Sequence, residues 1–159
     1  MTSRNGKSAK GGAKGVRGAH AIFSSKNDEW ETPQLVYDLL NSEFHFTLDP
    51  CATDENHKCE KYYTMNDDGL SQNWGGQTVF CNPPYSEISD WVEKAYRESR
   101  TDHTIVVLLI PARTDTRYFH DFIYQRAEVR FIRGRLKYSN STHNSPFPSM
   151  VVIFRGAYT

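Results

Sequence analysis

The length and composition of this chain exclude several classes of protein. A chain of 159 residues fits one domain and can bury a core of its own. It carries no apolar run long enough to cross a membrane and no signal peptide, and its three cysteines form no CxxC pair. We therefore expect a cytoplasmic protein without a membrane anchor. We also expect no metal site, because Cys51, His57 and Cys59 fit no standard zinc spacing.

The net charge of zero conceals an uneven distribution of charge along the chain. Residues 1–20 contain five basic and no acidic side chains, and the remainder contains 14 basic and 19 acidic ones. Residues 1–22 are rich in Gly, Ser and Lys and have no apolar periodicity, so we predict a disordered basic arm there and a folded domain from 23 to 159. Such an arm either adds salt-sensitive contacts to phosphates or only keeps the protein soluble.

The first half of the folded region contains one clear helix and three short strands. Thr32 and Pro33 are typical of a helix N-cap and the first helical position, and the apolar residues that follow keep helical spacing to about Ser42. Strands are predicted at 44–48, weakly at 62–63, and at 78–81. The polar stretch between 51 and 77 carries little further pattern.

The second half alternates helices with more strongly apolar strands. Helices are predicted over 88–96 and 118–123, and strands at 104–110, 128–132 and 149–154. The uninterrupted apolar run at 104–110 is typical of a central parallel strand that is covered on both faces. This alternation predicts a single compact α/β domain with a mostly parallel sheet and helices on both faces.

The most informative motif is Asn82-Pro83-Pro84-Tyr85, the NPPY motif, which lies between a predicted strand and a predicted helix. In an open α/β sheet, ligands bind at the carboxyl ends of the strands. The two prolines fix φ and remove two backbone donors, so the turn is stiff and presents its carbonyl groups. The alternative is a Pro-Pro turn that carries an aromatic residue by chance.

The residue types of this motif suit the methylation of a planar amine. The nitrogen of an aryl amine or amide is a poor nucleophile, because its lone pair is delocalised. Two acceptors against its two N–H bonds localise that lone pair: the side-chain oxygen of Asn82 and a backbone carbonyl, best that of Pro83. Tyr85 offers a ring on which a flipped base can stack. The predicted catalytic residues are therefore Asn82, Pro83, Pro84 and Tyr85.

An ordered set of further motifs gives the chain a family resemblance. From Trp30 to about Phe154 it resembles the small phage-type DNA N6-adenine methyltransferases of the Dam family. The matching motifs are, in order, Trp30-Glu31-Thr32-Pro33, Leu48-Asp49-Pro50-Cys51-Ala52, Asp68-Gly69-Leu70 with Trp74, the NPPY motif, Pro111-Ala112-Arg113-Thr114-Asp115 and Gly134-Arg135-Leu136. The resemblance implies a Rossmann-like fold, S-adenosylmethionine as the cofactor, double-stranded DNA in a bacterial cell as the partner, and methyl transfer to N6 of a flipped-out adenine.

The chain lacks two features that larger enzymes of this chemistry carry. No glycine-rich loop follows the first strand, and there is no room for a separate target-recognition domain. The recognised DNA sequence is therefore left open. Two alternative functions also stay open: methylation of a glutamine amide in a protein, which shares the NPPY motif, and a DNA-binding module that keeps the fold without the cofactor.

Three segments are expected to hold the cofactor. Asp49 follows a strand end, where a carboxylate can hold the ammonium group of the methyl donor, or it only closes an Asp-Pro turn. Asp68 suits the ribose hydroxyls, or it belongs to a solvated acidic turn. The resemblance places Thr32 near the methionine end, where its hydroxyl caps a helix, binds the donor carboxylate, or does both. The predicted cofactor-binding residues are Trp30, Thr32, Pro33, Asp49, Pro50, Cys51, Asp68 and Leu70.

Basic residues along the second half of the chain are expected to contact DNA. Arg113 follows a strand end, and further basic residues cluster between 130 and 137. Alternate residues of a strand share one face, so only part of this cluster would face DNA; the alternative is a solvated basic edge. The polar loop at 138–148 could enter a groove of the duplex. The predicted DNA-binding residues are Arg113, Arg133, Arg135, Lys137 and Tyr138.

Overall fold

One six-stranded sheet organises residues 30–156, which are the residues that the computed structural model describes. Its strands are β1 Leu48–Asp49, β2 Lys61–Tyr62, β3 Thr78–Cys81, β4 Ile105–Pro111, β5 Glu128–Phe131 and β6 Ser149–Arg155. In space they follow the order β2-β1-β3-β4-β6-β5. The predicted basic arm at 1–22 lies outside the described residues.

The sheet is mixed. Strands β2, β1, β3 and β4 run parallel to one another, whereas β6 runs antiparallel to both β4 and β5. Strand β5 therefore runs in the same direction as β1 to β4, and the prediction of a mostly parallel sheet is confirmed, with β6 as the one reversed strand among the six described. All of β6 except Arg155 is buried. A strand that is buried on both faces reads as an apolar run in either direction, so its direction was not predictable.

Helices cover both faces of the sheet, as predicted. The elements are α1 Gln34–Phe44, α2 Ile88–Ser99 and one π-helical turn at Phe119–Ile123. Along β4, Val106 and Leu108 pack in the core that contains α2 and the π-helical turn. Val107 and Leu109 point the other way and pack in the core that contains α1. Within residues 30–156, no helix is both long enough and apolar enough to cross a membrane.

The two ends of α1 differ from the prediction. Pro33, not Thr32, occupies the N-cap position, with φ −57° and ψ 132°. The Thr32 hydroxyl does not cap the helix; it interacts with another side chain. At the other end, His45 adopts a left-handed conformation with φ 56° and ends the helix. The predicted strand at 44–48 is therefore reduced to β1, which begins at Leu48.

Candidate active site

The order of the strands creates a topological switch point in the sheet. After β1 the chain adds β2 on one side of it, and β3 then joins on the other side. The carboxyl ends of β1 and β3 therefore lie side by side where the strand order reverses. Asp49 ends β1, and Asn82 directly follows β3. Ligands of open α/β sheets bind at such a switch point.

Within the described part of the chain, the side-chain amide of Asn82 has partners for its nitrogen but none for its oxygen. Nδ2 donates to the Trp30 carbonyl and to the Thr32 hydroxyl (2.9 Å), so both amide hydrogens are used. Oδ1 is buried and has no hydrogen-bond partner within residues 30–156. A buried acceptor without a partner costs about 1–3 kcal/mol, and a ligand that donates to it would explain why the fold retains it.

The partners of Asn82 also fix the orientation of its amide. A backbone carbonyl can only accept a hydrogen bond, so the Trp30 carbonyl requires the amide nitrogen, not the amide oxygen, at its side. The flipped orientation would place two carbonyl oxygens against each other. Oδ1 is therefore the acceptor that this site offers to an incoming N–H group.

The prolines of the NPPY motif form a short turn between β3 and α2, where the sequence placed them. Pro83 is buried. The Pro84 carbonyl accepts the Glu87 N–H (3.2 Å) at the start of a 3₁₀ turn over Tyr85–Glu87 that leads into α2. This bond uses one of the two lone pairs of the Pro84 carbonyl, so the Pro83 carbonyl is the better candidate for a second acceptor beside Asn82.

Tyr85 belongs to a group of four aromatic side chains, the aromatic cluster, formed by Trp30, Tyr85, Tyr138 and Phe147. The Tyr85 ring lies nearly parallel to Trp30, with ring centroids 6.1 Å apart, and edge-on to Phe147 at 5.0 Å. Its hydroxyl donates to the Tyr138 hydroxyl (3.2 Å), which also bonds the Ser149 hydroxyl (3.1 Å). Burial raises the pKa of Tyr85. The Tyr85 side chain is thus neutral, and its hydroxyl group anchors the ring.

Asp49 lies buried at the end of β1, and both oxygens of its carboxylate bind the backbone. Oδ1 accepts the Cys51 N–H (3.3 Å), and Oδ2 accepts the Lys58 N–H (2.9 Å). Burial raises the pKa of Asp49, and these two backbone bonds oppose the rise. The carboxylate therefore closes the loop from 49 to 58, as in the Asp-Pro turn that was the alternative to cofactor binding.

A turn that contains Asp68 packs against the end of β1. A Cβ atom on Gly69 would lie 2.0 Å from the Pro50 carbonyl oxygen, so this close approach requires glycine. Asp68 itself has φ 54° and is exposed, and its carboxylate forms no hydrogen bond or ion pair with the rest of residues 30–156. Leu70 is half-buried against the core of α2. Asp68 is thus an open carboxylate beside β1.

The structure brings the predicted cofactor segments to the same end of the sheet by two contacts. Trp30 and Thr32 bind Asn82, and Gly69 touches Pro50. Cys51 is half-buried against the core of α2.

Four of the predicted DNA-binding residues are exposed. Arg113 follows β4 and lies close enough to Tyr85 for its positive charge to oppose the rise in the pKa of that phenol. The other three lie in the loop that follows β5. They are Arg133, Arg135 and Lys137.

Arg130 of the basic cluster and Tyr138 of the loop that follows it are engaged within the protein. Arg130 binds both oxygens of Glu43 (2.6 and 2.8 Å) and one oxygen of Glu128 (2.7 Å). Tyr138 was predicted to contact DNA, but its side chain is 0% exposed. Direct contact with DNA is at odds with this burial. The residue supports Tyr85 through its hydroxyl instead.

Hydrogen bonds that fix residues 30–32 were not predicted from the sequence. The Glu31 N–H donates to Asn140 Oδ1 (3.0 Å), and the Glu31 carbonyl accepts the Ser139 N–H (2.9 Å). These partners are more than 100 residues apart in the chain. Neither local periodicity nor motif spacing carries a signal for such a contact.

The fold and the site together define the class of this protein. It is an α/β protein whose switch point presents a buried amide acceptor beside two prolines and an aromatic ring. The family model described as DNA N-6-adenine-methyltransferase (Dam) matches residues 20–157, and the chain belongs to that family. The family predicted from the sequence motifs is thus confirmed.

Two phage proteins illustrate the relationship. The DNA N-6-adenine-methyltransferase of Haemophilus phage HP1 (strain HP1c1) is 29% identical over 138 residues, which cover 82% of this chain and 80% of the relative. The DNA N-6-adenine-methyltransferase of Escherichia phage T1 is 34% identical over 111 residues, which cover 69% of this chain and 46% of the relative. This chain thus matches less than half of the T1 protein and most of the HP1 protein.

Proposed function

We propose that this protein transfers a methyl group from S-adenosylmethionine to N6 of an adenine that is flipped out of double-stranded DNA. Membership of the Dam family supports DNA adenine methylation in general terms. The observation that carries the finer proposal is the buried Oδ1 of Asn82 at the switch point of the sheet, which has no hydrogen-bond partner among the described residues. The strand order, with its reversal between β1 and β3, supports a Rossmann-like methyltransferase fold.

In this proposal Asn82 activates the amine. Its Oδ1 accepts one N–H of the adenine amine, and the Pro83 carbonyl accepts the other. The two bonds draw the nitrogen toward a tetrahedral shape and localise its lone pair for attack. No base of matched pKa is required, because the proton leaves after the methyl group has been transferred. The attack is in line and forms no covalent bond to the protein.

Tyr85 supplies the surface against which the extruded base stacks. An adenine inside a duplex is paired and out of reach, so extrusion costs a few kcal/mol that contacts in the site must offset. Stacking on an aromatic ring contributes about 1–3 kcal/mol per base. The other members of the aromatic cluster hold the Tyr85 ring in place.

The chain's own residues suit S-adenosylmethionine at the end of β1. The cofactor, when bound, supplies an electrophilic methyl group. Asp68 offers an open carboxylate for hydroxyl or ammonium groups there, and Leu70 offers apolar surface beside it. We propose that Asp49, whose oxygens bind the backbone, acts on the cofactor through its charge and through the loop it shapes around Pro50 and Cys51.

We propose that the segment of Trp30, Thr32 and Pro33 flanks the cofactor site at the switch point, where Thr32 acts through its hydrogen bond to Asn82 and not as a direct ligand. On the DNA side we retain Arg113, Arg133, Arg135 and Lys137, which are exposed and able to reach phosphates. A function on bacterial DNA is compatible with the predicted cytoplasmic location, which stays a prediction.

The proposal is tested by incubating the protein with labelled S-adenosylmethionine and plasmid DNA and then analysing the nucleosides by mass spectrometry. We expect N6-methyladenine. N4-methylcytosine would show that the amine is assigned wrongly. Absence of any methylated nucleoside, together with no cofactor binding in calorimetry at millimolar donor, would favour a DNA-binding module instead.

A further inference from the structure

Thr32 is buried where its hydroxyl serves the catalytic amide. It is 3% exposed, it does not cap α1, and its Oγ1 accepts the Asn82 Nδ2–H at 2.9 Å. The Trp30 carbonyl accepts the other hydrogen of the same nitrogen. The Trp30 carbonyl can only accept and so sets the orientation of the amide, and the Thr32 hydroxyl, as the second partner of the same nitrogen, holds the amide in that orientation.

The segment that carries these two acceptors is itself held by the turn at Ser139 and Asn140. Asn140 Oδ1 accepts the Glu31 N–H (3.0 Å), and the Ser139 N–H donates to the Glu31 carbonyl (2.9 Å). The Ser139 hydroxyl adds a longer bond to the Thr32 carbonyl (3.4 Å). Glu31 is thus fixed at both its N–H and its carbonyl, directly between the two residues that bind Asn82.

We infer that Thr32 and Asn140 are positioning residues that keep the amide oxygen of Asn82 directed at the substrate amine. Thr32 acts directly on the amide nitrogen, and Asn140 acts through the backbone of residues 30–32. The inference rests on the proposed function, in which Asn82 Oδ1 accepts an N–H of adenine. If the amide flipped, its NH₂ group would meet the NH₂ group of the base, and two donors do not bond.

The first test compares Thr32→Val, which removes the hydroxyl at nearly constant volume, with Thr32→Ser, which keeps it. Thr104→Val is the matched control. Thr104 is 1% exposed and its hydroxyl accepts the Gly76 N–H at 2.8 Å, but it lies before β4, at the opposite end of the sheet. All rates are measured below the unfolding temperature of each variant.

We expect Thr32→Val to lower kcat roughly tenfold, the effect of one ordinary hydrogen bond, with the KM values for DNA and cofactor unchanged. Thr32→Ser should restore kcat, and Thr104→Val should leave it as in the wild type. In the second pair, Asn140→Ala should lower kcat, and Asn140→Asp, which keeps an acceptor, should not. A raised cofactor KM with unchanged kcat in Thr32→Val would make Thr32 a cofactor ligand and overturn the inference.

A second measurement needs no activity and separates this inference from the proposed function. In ¹⁵N-labelled protein, the side-chain NH₂ of Asn82 is observed by NMR, and its hydrogens exchange slowly with solvent if both are bonded. Thr32→Val should accelerate that exchange roughly tenfold, whereas Thr104→Val should not. Equal exchange in all three proteins would overturn the inference even if the wild type methylates adenine. A wild type that shows the exchange pattern but methylates no adenine would overturn the proposed function alone.

Discussion

The ends of β1 and β3 carry two polar side chains whose buried oxygens differ in their partners. At the end of β1, both oxygens of Asp49 accept backbone N–H groups. After β3, the oxygen of Asn82 has no partner within residues 30–156. The first arrangement is complete without a ligand and stabilises a loop. The second is incomplete among the described residues and suits a site that a ligand finishes, as the proposed function requires.

The largest expected effect is on turnover, at Asn82. Asn82→Ala should lower kcat by about 10²–10³-fold, the usual cost of removing one preorganised polar group that acts on the transition state. Cofactor affinity should change little, because the amide acts on the amine. Turnover is measured by nucleoside mass spectrometry and affinity by calorimetry. A variant with wild-type turnover would contradict the assignment of the acceptor.

At Asp49 the largest effect should be on stability. Asp49→Ala leaves the Cys51 and Lys58 N–H groups without their acceptor, which we expect to lower the free energy of unfolding by about 2 kcal/mol. Asn82→Ala should cost less, because it also removes an oxygen that has no partner in the described part of the chain. Urea unfolding of both variants ranks them. The comparison fails if Asn82→Ala is the more destabilised of the two.

The open carboxylate at Asp68 should matter for cofactor binding only. Asp68→Asn removes one charge-assisted bond and should weaken S-adenosylmethionine binding about tenfold. Since Asp68 is exposed, the free energy of unfolding should stay within about 0.5 kcal/mol of the wild type. Calorimetry at several cofactor concentrations measures the affinity. An unchanged affinity would show that the cofactor does not contact the Asp68 carboxylate.

DNA binding should distinguish the exposed from the buried residues of the predicted interface. Arg135→Ala should weaken DNA binding. The slope of the logarithm of the binding constant against the logarithm of the salt concentration should become less steep by the amount that one phosphate contact contributes. Tyr138→Phe, which removes only a buried hydroxyl, should leave that slope unchanged. Fluorescence anisotropy with a labelled duplex at several salt concentrations measures both. A changed slope in Tyr138→Phe would show that the Tyr138 hydroxyl contributes to DNA binding.

The smallest expected effect concerns pH. Burial raises the pKa of Asp49, so the folded protein holds this proton more tightly than the unfolded chain does. The proton-linked part of the stability that Asp49 contributes is therefore full below the ordinary carboxyl range and is lost as the pH rises through the raised pKa. Urea unfolding across that range should show the difference between wild type and Asp49→Ala shrinking as the pH rises. Asn82 does not ionise, so the difference in the free energy of unfolding between wild type and Asn82→Ala should not change with pH.

The sequence was informative where structure is local. The apolar run at 104–110 became β4, the pattern after the NPPY motif became α2, and Asn82 lies on the predicted loop between β3 and α2. The prediction failed where the partner is distant in the chain. Nothing near Thr32 shows that its hydroxyl bonds residue 82, 50 positions away.

Tyr138 illustrates the same limit for burial. It follows several basic residues in a polar stretch, which is the usual appearance of an exposed loop. Its burial results from packing against Trp30 and Phe147 and from the bonds of its hydroxyl. These contacts are set by the tertiary fold, and the local composition does not record them.

The most direct test of the account is the distance between Asn82 Oδ1 and adenine N6. It is measured in a crystal structure of the protein with a DNA duplex and a cofactor analogue that has no transferable methyl group. The account predicts an extruded adenine whose N6 lies about 2.9 Å from Oδ1, with the amide nitrogen still bound to Thr32. An extruded base whose amine lies against other acceptors, with Oδ1 left unpaired, would contradict it.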